Sequence, residues 1–427
     1  MKWLKTIKID LSSFFFISKK MEVEVCEFSI ANKPLKGVKL IGSQCTQRNP
    51  VHTIILLDTS GSMNSNSKLI NVKKSLYYLL KFLPNDYLSL ITFNDTSEIL
   101  LENTRITPEH NEILHFTINK LHADRGTNLS AGLLNALSLI KRTNTQIKTG
   151  LIILTDGHAN EGIVQSTEIL KIIGSIKNNS SVSITTIAYG EDHNAELLKD
   201  VAINGGGSYN MVDNLEQVAT VFGDILGGLM SCVMQNVVIK HDDTLKSLSP
   251  YTTKNGVLTI GDVYAECETI VLFEGTGIPV VEGINTSNYT HASYNMSPST
   301  DSTSYIVTYA RLEIANILEH MRQPKEIIIQ RLKKLKPILQ NLIHPLVMLL
   351  QKELTHIEQQ LDEDYLNTSV NLQTSAFFAL GRGLQSQMAE DLQHMHIQSP
   401  FANSVQRHIS ESIQHMTQSD PCDYSSV

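Results

Sequence analysis

The chain has 427 residues, of which 41% are hydrophobic and 18% charged, and a formal net charge of -8 at pH 7. That length exceeds one ordinary core and predicts two or three domains, while the composition is that of a packed globular protein and not a disordered one. The acidic balance, with no strongly basic half, argues against a nucleic-acid partner, and no stretch reaches the roughly 20 apolar residues needed to span a bilayer.

Residues 1–20 form a poorly defined N-terminal segment. Lys2, Lys5 and Lys8 precede a short apolar run at Phe14–Ile17, but Asp10 interrupts it and no small-residue cleavage site follows. It is a poor signal peptide, and Met21 is an alternative start. The five cysteines, Cys26, Cys45, Cys232, Cys267 and Cys422, are far apart and lack any CxxC spacing. They suit a reducing, intracellular and cytoplasmic setting better than a disulfide framework or a zinc ribbon.

Residues 21–50 contain strand-like runs at Val23–Ile30 and Val38–Gly42. From 51 to 230 apolar strands alternate with amphipathic helices. The strands are expected at Thr53–Leu57, Leu88–Phe93, Leu151–Thr155, Ser183–Ala188 and Ser208–Val212. Leu69, Val72, Leu76, Leu80 and Leu83 recur at helical spacing before the stop at Pro84–Asn85, and Leu133, Leu137 and Ile140 mark a second helix. A last helix is expected over about Leu215–Met230. Ser97–Leu101 follows the turn Asn94–Asp95 so closely that it should pair antiparallel at the sheet edge. The pattern specifies a doubly wound, mostly parallel α/β sheet, Rossmann-like in layout.

Residues 231–309 change to short strands, including Asn236–His241, Gly256–Gly261 and Thr269–Glu274, separated by polar turns; this is a small antiparallel β-sandwich unit. The strands of residues 21–50 are expected to join it, which inserts the α/β domain within the β unit. Residues 310–416 read as a helical region, with Leu312, Ala315 and Leu318 on one face and Leu335, Leu339 and Leu342 on another. Pro324, Pro337 and Pro345 should cut it into short helices. The basic run Arg331–Lys336 is read as a solvated helix face, and 417–427 as a polar tail.

Three loops carry the chemistry. The strand Ile54–Leu57 ends in Asp58-Thr-Ser60-Gly-Ser62, where Gly61 permits a sharp turn between the two serines. Asp124-Arg-Gly-Thr127 precedes a helix, and Leu151–Thr155 ends in Asp156-Gly157. In open α/β sheets ligands bind beyond the carboxyl ends of strands, where the strand order reverses. If the two strands are neighbours there, Asp58 and Asp156 converge. Carboxylates and hydroxyls are hard ligands, suited to Mg²⁺, Mn²⁺ or Ca²⁺ and poorly matched to zinc. Taken singly, Asp58 and Asp156 read as helix N-caps or turn formers, as most strand-end aspartates are, and Ser60 and Ser62 more often as loop hydroxyls than as ligands.

Taken together and in this order, Asp58-x-Ser60-x-Ser62, Thr127 and Asp156-Gly157 resemble the metal-ion-dependent adhesion site of von Willebrand factor type A domains, over about residues 50–230. The resemblance implies Mg²⁺ held directly by Ser60, Ser62 and Thr127, with Asp58 and Asp156 acting through waters and hydrogen bonds. It also implies a protein partner that completes the ion's octahedron with an Asp or Glu. Arg125 departs from the family, which often has a second glycine there: its guanidinium would repel the ion unless it pairs with Asp124 or points to solvent, and it could also recruit an acidic partner. The order of metal domain, β unit and helical tail resembles a group of intracellular proteins, some of which add a RING module. No Cys/His pattern for a RING exists here.

The expected function is therefore a non-enzymatic, Mg²⁺-dependent protein-interaction module. Two alternatives are a metal-dependent hydrolase with Asp58 as nucleophile, and a scaffold with a vestigial metal site that works through its helical tail. The hydrolase lacks a nucleophile–base pair, since Ser60 stands where aspartate-based phosphatases want a second carboxylate. His122 and His158 flank the same face and are read as surface residues.

Overall fold

The computed structural model describes residues 21–362 apart from 44–49, 144–146, 180–181, 191–192, 213–214, 250, 252, 287, 320–322 and 341. Expectations for 1–20, 363–416 and 417–427 lie outside the described residues.

The chain opens with a hairpin, β1 (Met21–Ile30) and β2 (Lys33–Gly42), turned by Ala31 and Asn32 at φ 51° and 64°. Two left-handed residues in a two-residue loop match the right-handed twist of the flanking strands. The α/β domain follows as β3 (Val51–Asp58), α1 (Lys68–Phe82), β4 (Tyr87–Phe93), β5 (Ser97–Arg105), α2 (Asn111–Lys120), α3 (Leu129–Arg142), β6 (Lys148–Thr155), α4 (Ser166–Asn179), β7 (Ser183–Tyr189), α5 (Ala195–Gly205), β8 (Gly206–Val212) and α6 (Leu215–Ser231). Its six strands run in the order β5-β4-β3-β6-β7-β8. All neighbours are parallel except β5, which pairs antiparallel with β4 at the edge.

Every residue of β3 and β6 is buried, because helices cover both sheet faces. Ile55 and Leu57 pack with Val72 and Leu76 of α1 and with Phe222 and Leu226 of α6. Ile54 and Leu56 face the other way, onto Leu133 of α3 and Ile169 of α4. Each fully buried Leu or Ile contributes about 1.5 to 3 kcal/mol by removal from water, so the central strands anchor the sheet from whose ends the loops emerge.

Helix α6 passes into β9 (Cys232–Lys240) without a loop. Then come β10 (Leu245–Ser247), β11 (Thr253–Lys254), β12 (Val257–Tyr264), β13 (Glu268–Gly275), β14 (Val280–Asn285), β15 (His291–Tyr294) and β16 (Ser297–Pro298). They form two sheets, β10-β13-β2-β1-β16 and β11-β12-β9-β14-β15. Val38, Leu40, Val271 and Phe273 of the first pack against Val237, Ile239, Leu258 and Val281 of the second. The pairings are antiparallel except for the short β1–β16 contact, which is parallel. Strands from both ends of the α/β domain thus share one sheet, through Val38 opposite both Val25 and Val271.

Three helices close the described chain: α7 (Thr303–Glu319), α8 (Lys325–Gln340) and α9 (Val347–Asp362). Val307, Ala310, Ile314 and Ile317 of α7 meet Leu332, Leu335 and Leu339 of α8 and Leu354 and Ile357 of α9. Leu312 instead packs beside Leu272 and Tyr305, toward the β unit. Pro324 and Pro345 stand ahead of helices, but α8 runs through Pro337. An internal proline removes a hydrogen bond at a cost of about 3 kcal/mol, yet here it lies near the helix end, its ring exposed, with buried Leu335 and Leu339 on either side holding the turn. In the basic run, Arg331 bonds Glu313 and Asn316, and Lys336 pairs with Glu358.

The architecture is a doubly wound, mostly parallel α/β sheet with a small antiparallel β-sandwich and a helical region.

Candidate functional site

Strands β3 and β6 are parallel neighbours where the sheet order reverses, in register from Val51 opposite Lys148 to Leu57 opposite Leu154. Their carboxyl ends therefore open at one edge. Past β3 the backbone folds on itself: Ser60 N donates to Asp58 Oδ1 at 2.8 Å, and Met63 N donates to Ser60 O at 3.1 Å. Gly61 N donates to Arg125 O at 3.0 Å, which binds the serine loop to the loop that carries Thr127. Thr127 is fixed by Asn160, whose Oδ1 accepts from Thr127 N at 2.9 Å and whose N donates to Thr127 O at 3.0 Å.

These contacts gather the five residues. Ser60 Oγ and Ser62 Oγ lie 3.1 Å apart, and Ser62 Oγ donates to Asp156 Oδ1 at 2.7 Å. A Cβ placed on Gly157 would sit 3.9 Å from both Ser62 Oγ and Thr127 Oγ1, so the hydrogen at that position opens a notch between the two hydroxyls. Asp58 lies behind, fully buried, its Oδ2 accepting from Thr155 Oγ1 at 2.6 Å. Ser60, Thr127 and Asp156 are buried as well, while Ser62 faces solvent.

Burial pushes the Asp58 carboxyl up to about 6; hydrogen bonds from Ser60 and Thr155 pull the other way, and the Asp156 charge adds to the rise. A carboxylate in that position gains from a nearby cation. Among the described residues, no three His, Cys, Asp or Glu side chains cluster as a metal centre. The candidate is therefore this hydroxyl-and-carboxylate set, which contains no thiolate or imidazole. Such donors fit a hard divalent ion such as Mg²⁺.

Arg125 adopts φ 65° and turns its guanidinium sideways, 3.4 Å from Asp95 and 3.7 Å from Asp124. Both of the milder sequence placements hold at once, pairing and exposure. His122 is exposed, with Nε2 4.0 Å from Asp124, and His158 is exposed. Beside the cluster a groove of about 450 Å³ runs from Thr59 past Phe116 and Lys120 to Arg125.

The sequence reading missed Lys68, whose Nζ lies 2.6 Å from Asp156 Oδ2. It also missed Thr155 as the Asp58 donor and Asn160 as the brace of Thr127. Only Lys68 left a signal, a lysine at the start of a helix whose first turn has no acidic residue.

A profile described as the von Willebrand factor type A domain matches residues 53–224. That segment is a von Willebrand factor type A domain. The chain is 29% identical over 189 residues to the uncharacterized protein YfbK of Escherichia coli, which is 43% of this chain and 32% of YfbK. It is 23% identical over 193 residues to inter-alpha-trypsin inhibitor heavy chain H1 of Bos taurus, 43% of this chain and 21% of that one. The match thus spans about a third or less of either relative. Among solved structures, the von Willebrand factor type A protein from Catenulispora acidiphila has a TM-score of 0.58 at 16% identity, over 84% of this chain and 93% of its own. The ArnB paralog VWA2 from Sulfolobus acidocaldarius has a TM-score of 0.51 at 15% identity, over 84% and 98%. These likenesses extend the fold beyond the type A domain to much of the flanking chain.

Proposed function

We propose that the type A domain is a non-enzymatic interaction module that grips an acidic side chain of a protein partner through Mg²⁺. Ser60, Ser62 and Thr127 would hold the ion directly, and Asp58 and Asp156 would act through waters and their hydrogen bonds to the loops. Mn²⁺ or Ca²⁺ would serve the same donors. The bound ion supplies an electrophilic centre at which a carboxylate completes the coordination shell.

The observation that carries this reading is the notch at Gly157, with two hydroxyl oxygens each 3.9 Å from the space a methyl would fill and Ser60 Oγ 3.1 Å from one of them. The groove from Thr59 to Arg125 gives a partner's flanking residues a surface beside that point. A hydrolase is less well supported: Asp58 is fully buried and both of its oxygens accept hydrogen bonds, so it is not presented as a nucleophile.

The test is calorimetric titration with Mg²⁺ and with Mn²⁺, beside affinity capture in Mg²⁺ followed by EDTA elution. Wild type should take up one ion and release its partner into EDTA. Ser60→Ala and Thr127→Ala should do neither. Uptake unchanged in both variants would overturn the proposal.

A further inference from the structure

Lys68 begins α1 from an awkward place. A helix N-terminus carries the positive end of the macrodipole, where a cation is disfavoured, and the first turn of α1 has no acidic residue to offset it. The two residues before it, Asn66 and Ser67, are both left-handed at φ 52° and 58°, a conformation that costs non-glycine residues energy and persists where the surroundings impose it. The Lys68 stem reaches inward past Gly190, where a Cβ would lie 3.9 Å from both Cε and Nζ. The ammonium arrives 2.6 Å from Asp156 Oδ2, with the lysine side chain 15% exposed and the Asp156 side chain fully buried. The other Asp156 oxygen accepts from Ser62, so one carboxylate joins the lysine to the proposed ion-holding hydroxyls.

We infer that Lys68 is a tethered counter-cation that sets the charge of the adhesion site. It holds divalent-ion affinity down and leaves the loaded site net positive, which selects an anionic partner group. The inference rests on the Mg²⁺ reading above. Two carboxylates alone would carry two negative charges, and a divalent ion would cancel them. With Lys68 present the cluster carries one negative charge before loading and one positive charge after it. In a buried site such a difference acts at close range and is little screened by salt. Lys68 is thus a specificity-determining residue that touches neither the ion nor the partner: it occupies an oxygen of Asp156 that the ion's shell would otherwise draw on.

The experiment titrates Mn²⁺ alone into the full chain by calorimetry and follows thermal unfolding with Mn²⁺ and with EDTA. The proteins are wild type, Lys68→Met, Lys68→Gln, Lys68→Arg and Ser60→Ala. Lys68→Met and Lys68→Gln should bind Mn²⁺ about tenfold tighter, while Lys68→Arg stays near wild type and Ser60→Ala loses binding. In EDTA both neutral variants should melt below wild type, because they strand the Asp156 charge, and Mn²⁺ should raise their Tm by more than it raises that of wild type. Should Lys68→Met fail to fold without the ion, Lys68→Gln, which keeps a hydrogen-bond donor, carries the comparison.

Binding by Lys68→Met and Lys68→Gln that equals or falls below wild type, with Ser60→Ala inactive, would overturn the inference and leave the Mg²⁺ reading standing. No uptake by wild type or either neutral variant would overturn both. Uptake by the neutral variants alone would support the lysine's opposition to the ion but overturn the Mg²⁺ reading of the wild-type site, and with it the net-positive loaded state.

Discussion

Lys148, the first residue of β6, places its ammonium on the Asp262 carboxylate of β12, with both side chains buried. The pair joins the central sheet of the type A domain to the β-sandwich, and Tyr289 adds a second link by accepting from Lys148 N at 3.1 Å. Burial, the largest single influence, pushes the Lys148 ammonium down, but the Asp262 charge, Cys232, the Asp262 hydrogen bond and Tyr289 together outweigh it and the pKa is raised. Removing one partner strands a charge away from water, which typically costs about 3 to 5 kcal/mol. Lys148→Met or Asp262→Asn should lower stability by about that much in urea unfolding, and the apolar pair Lys148→Met with Asp262→Leu should recover most of the loss. A loss below about 1 kcal/mol in both single variants would show that the joint does not depend on this pair.

The ion-free protein should have a pH dependence made of two opposed parts. Asp58 is raised from 3.8 to about 6, so its contribution to stability is present below 3.8 and lost as pH rises through 6. His52 is lowered from 6.5 to about 4 by burial, so its contribution is present above 6.5 and lost as pH falls through 4. Between pH 4 and 6 the two slopes oppose each other. Asp58→Asn removes one of them, and its amide can donate to Thr155, which then turns its hydroxyl. In EDTA at pH 7.5 this variant should be more stable than wild type by on the order of 2 kcal/mol, and it should lose stability more steeply on acidification. Thermal unfolding from pH 4.5 to 7.5 measures both. Parallel curves for the two proteins would refute the assignment.

Arg125 is the site's other nearby cation, and it should matter much less. Its side chain is 59% exposed and its contacts with Asp95 and Asp124 are long, a geometry in which ion pairs contribute little. Arg125→Ala should shift Mn²⁺ affinity by less than about twofold and stability by less than about 0.5 kcal/mol. A tenfold gain in affinity would mean that the guanidinium, and not only the Lys68 ammonium, opposes the ion.

Much of the fold was legible because its signals are local. Ile54–Leu57 and Leu151–Leu154 are unbroken apolar runs, and only a strand covered on both faces buries every residue of such a run. Ser97 follows Asn94–Asp95 too closely for a crossover, which fixed β5 as antiparallel. Pro337 misled because its local cost is real but packing of Leu335 and Leu339 outweighs it, and packing is a property of three helices together. At the site, Asp58, Ser60, Ser62, Thr127 and Asp156 announce themselves by order and spacing, and the structure draws them together. Thr155, Asn160 and Lys68 do not, because their partners lie 97, 33 and 88 residues away. A lysine that opens an amphipathic helix reads as a solvated side chain until β6 is set beside β3.

Two glycines separate the requirements of the fold from those of the ion. A Cβ on Gly132 would lie 2.7 Å from Leu56 Cδ1 and 3.2 Å from Phe93 Cδ1, inside the core between α3 and the sheet. Gly132→Ala should therefore overpack that contact and cost about 1 to 3 kcal/mol in urea unfolding, with Mn²⁺ affinity little changed. A Cβ on Gly157 meets nothing nearer than 3.9 Å, an ordinary contact, and the added methyl restricts the unfolded chain. Gly157→Ala should leave the ion-free protein as stable as wild type or up to about 1 kcal/mol more so. Yet the methyl occupies the notch between Ser62 and Thr127 and offers no lone pair, so Mn²⁺ binding should weaken by about tenfold or more. If Gly157→Ala binds Mn²⁺ as tightly as wild type, the ion does not sit between these two hydroxyls, whatever else the site holds.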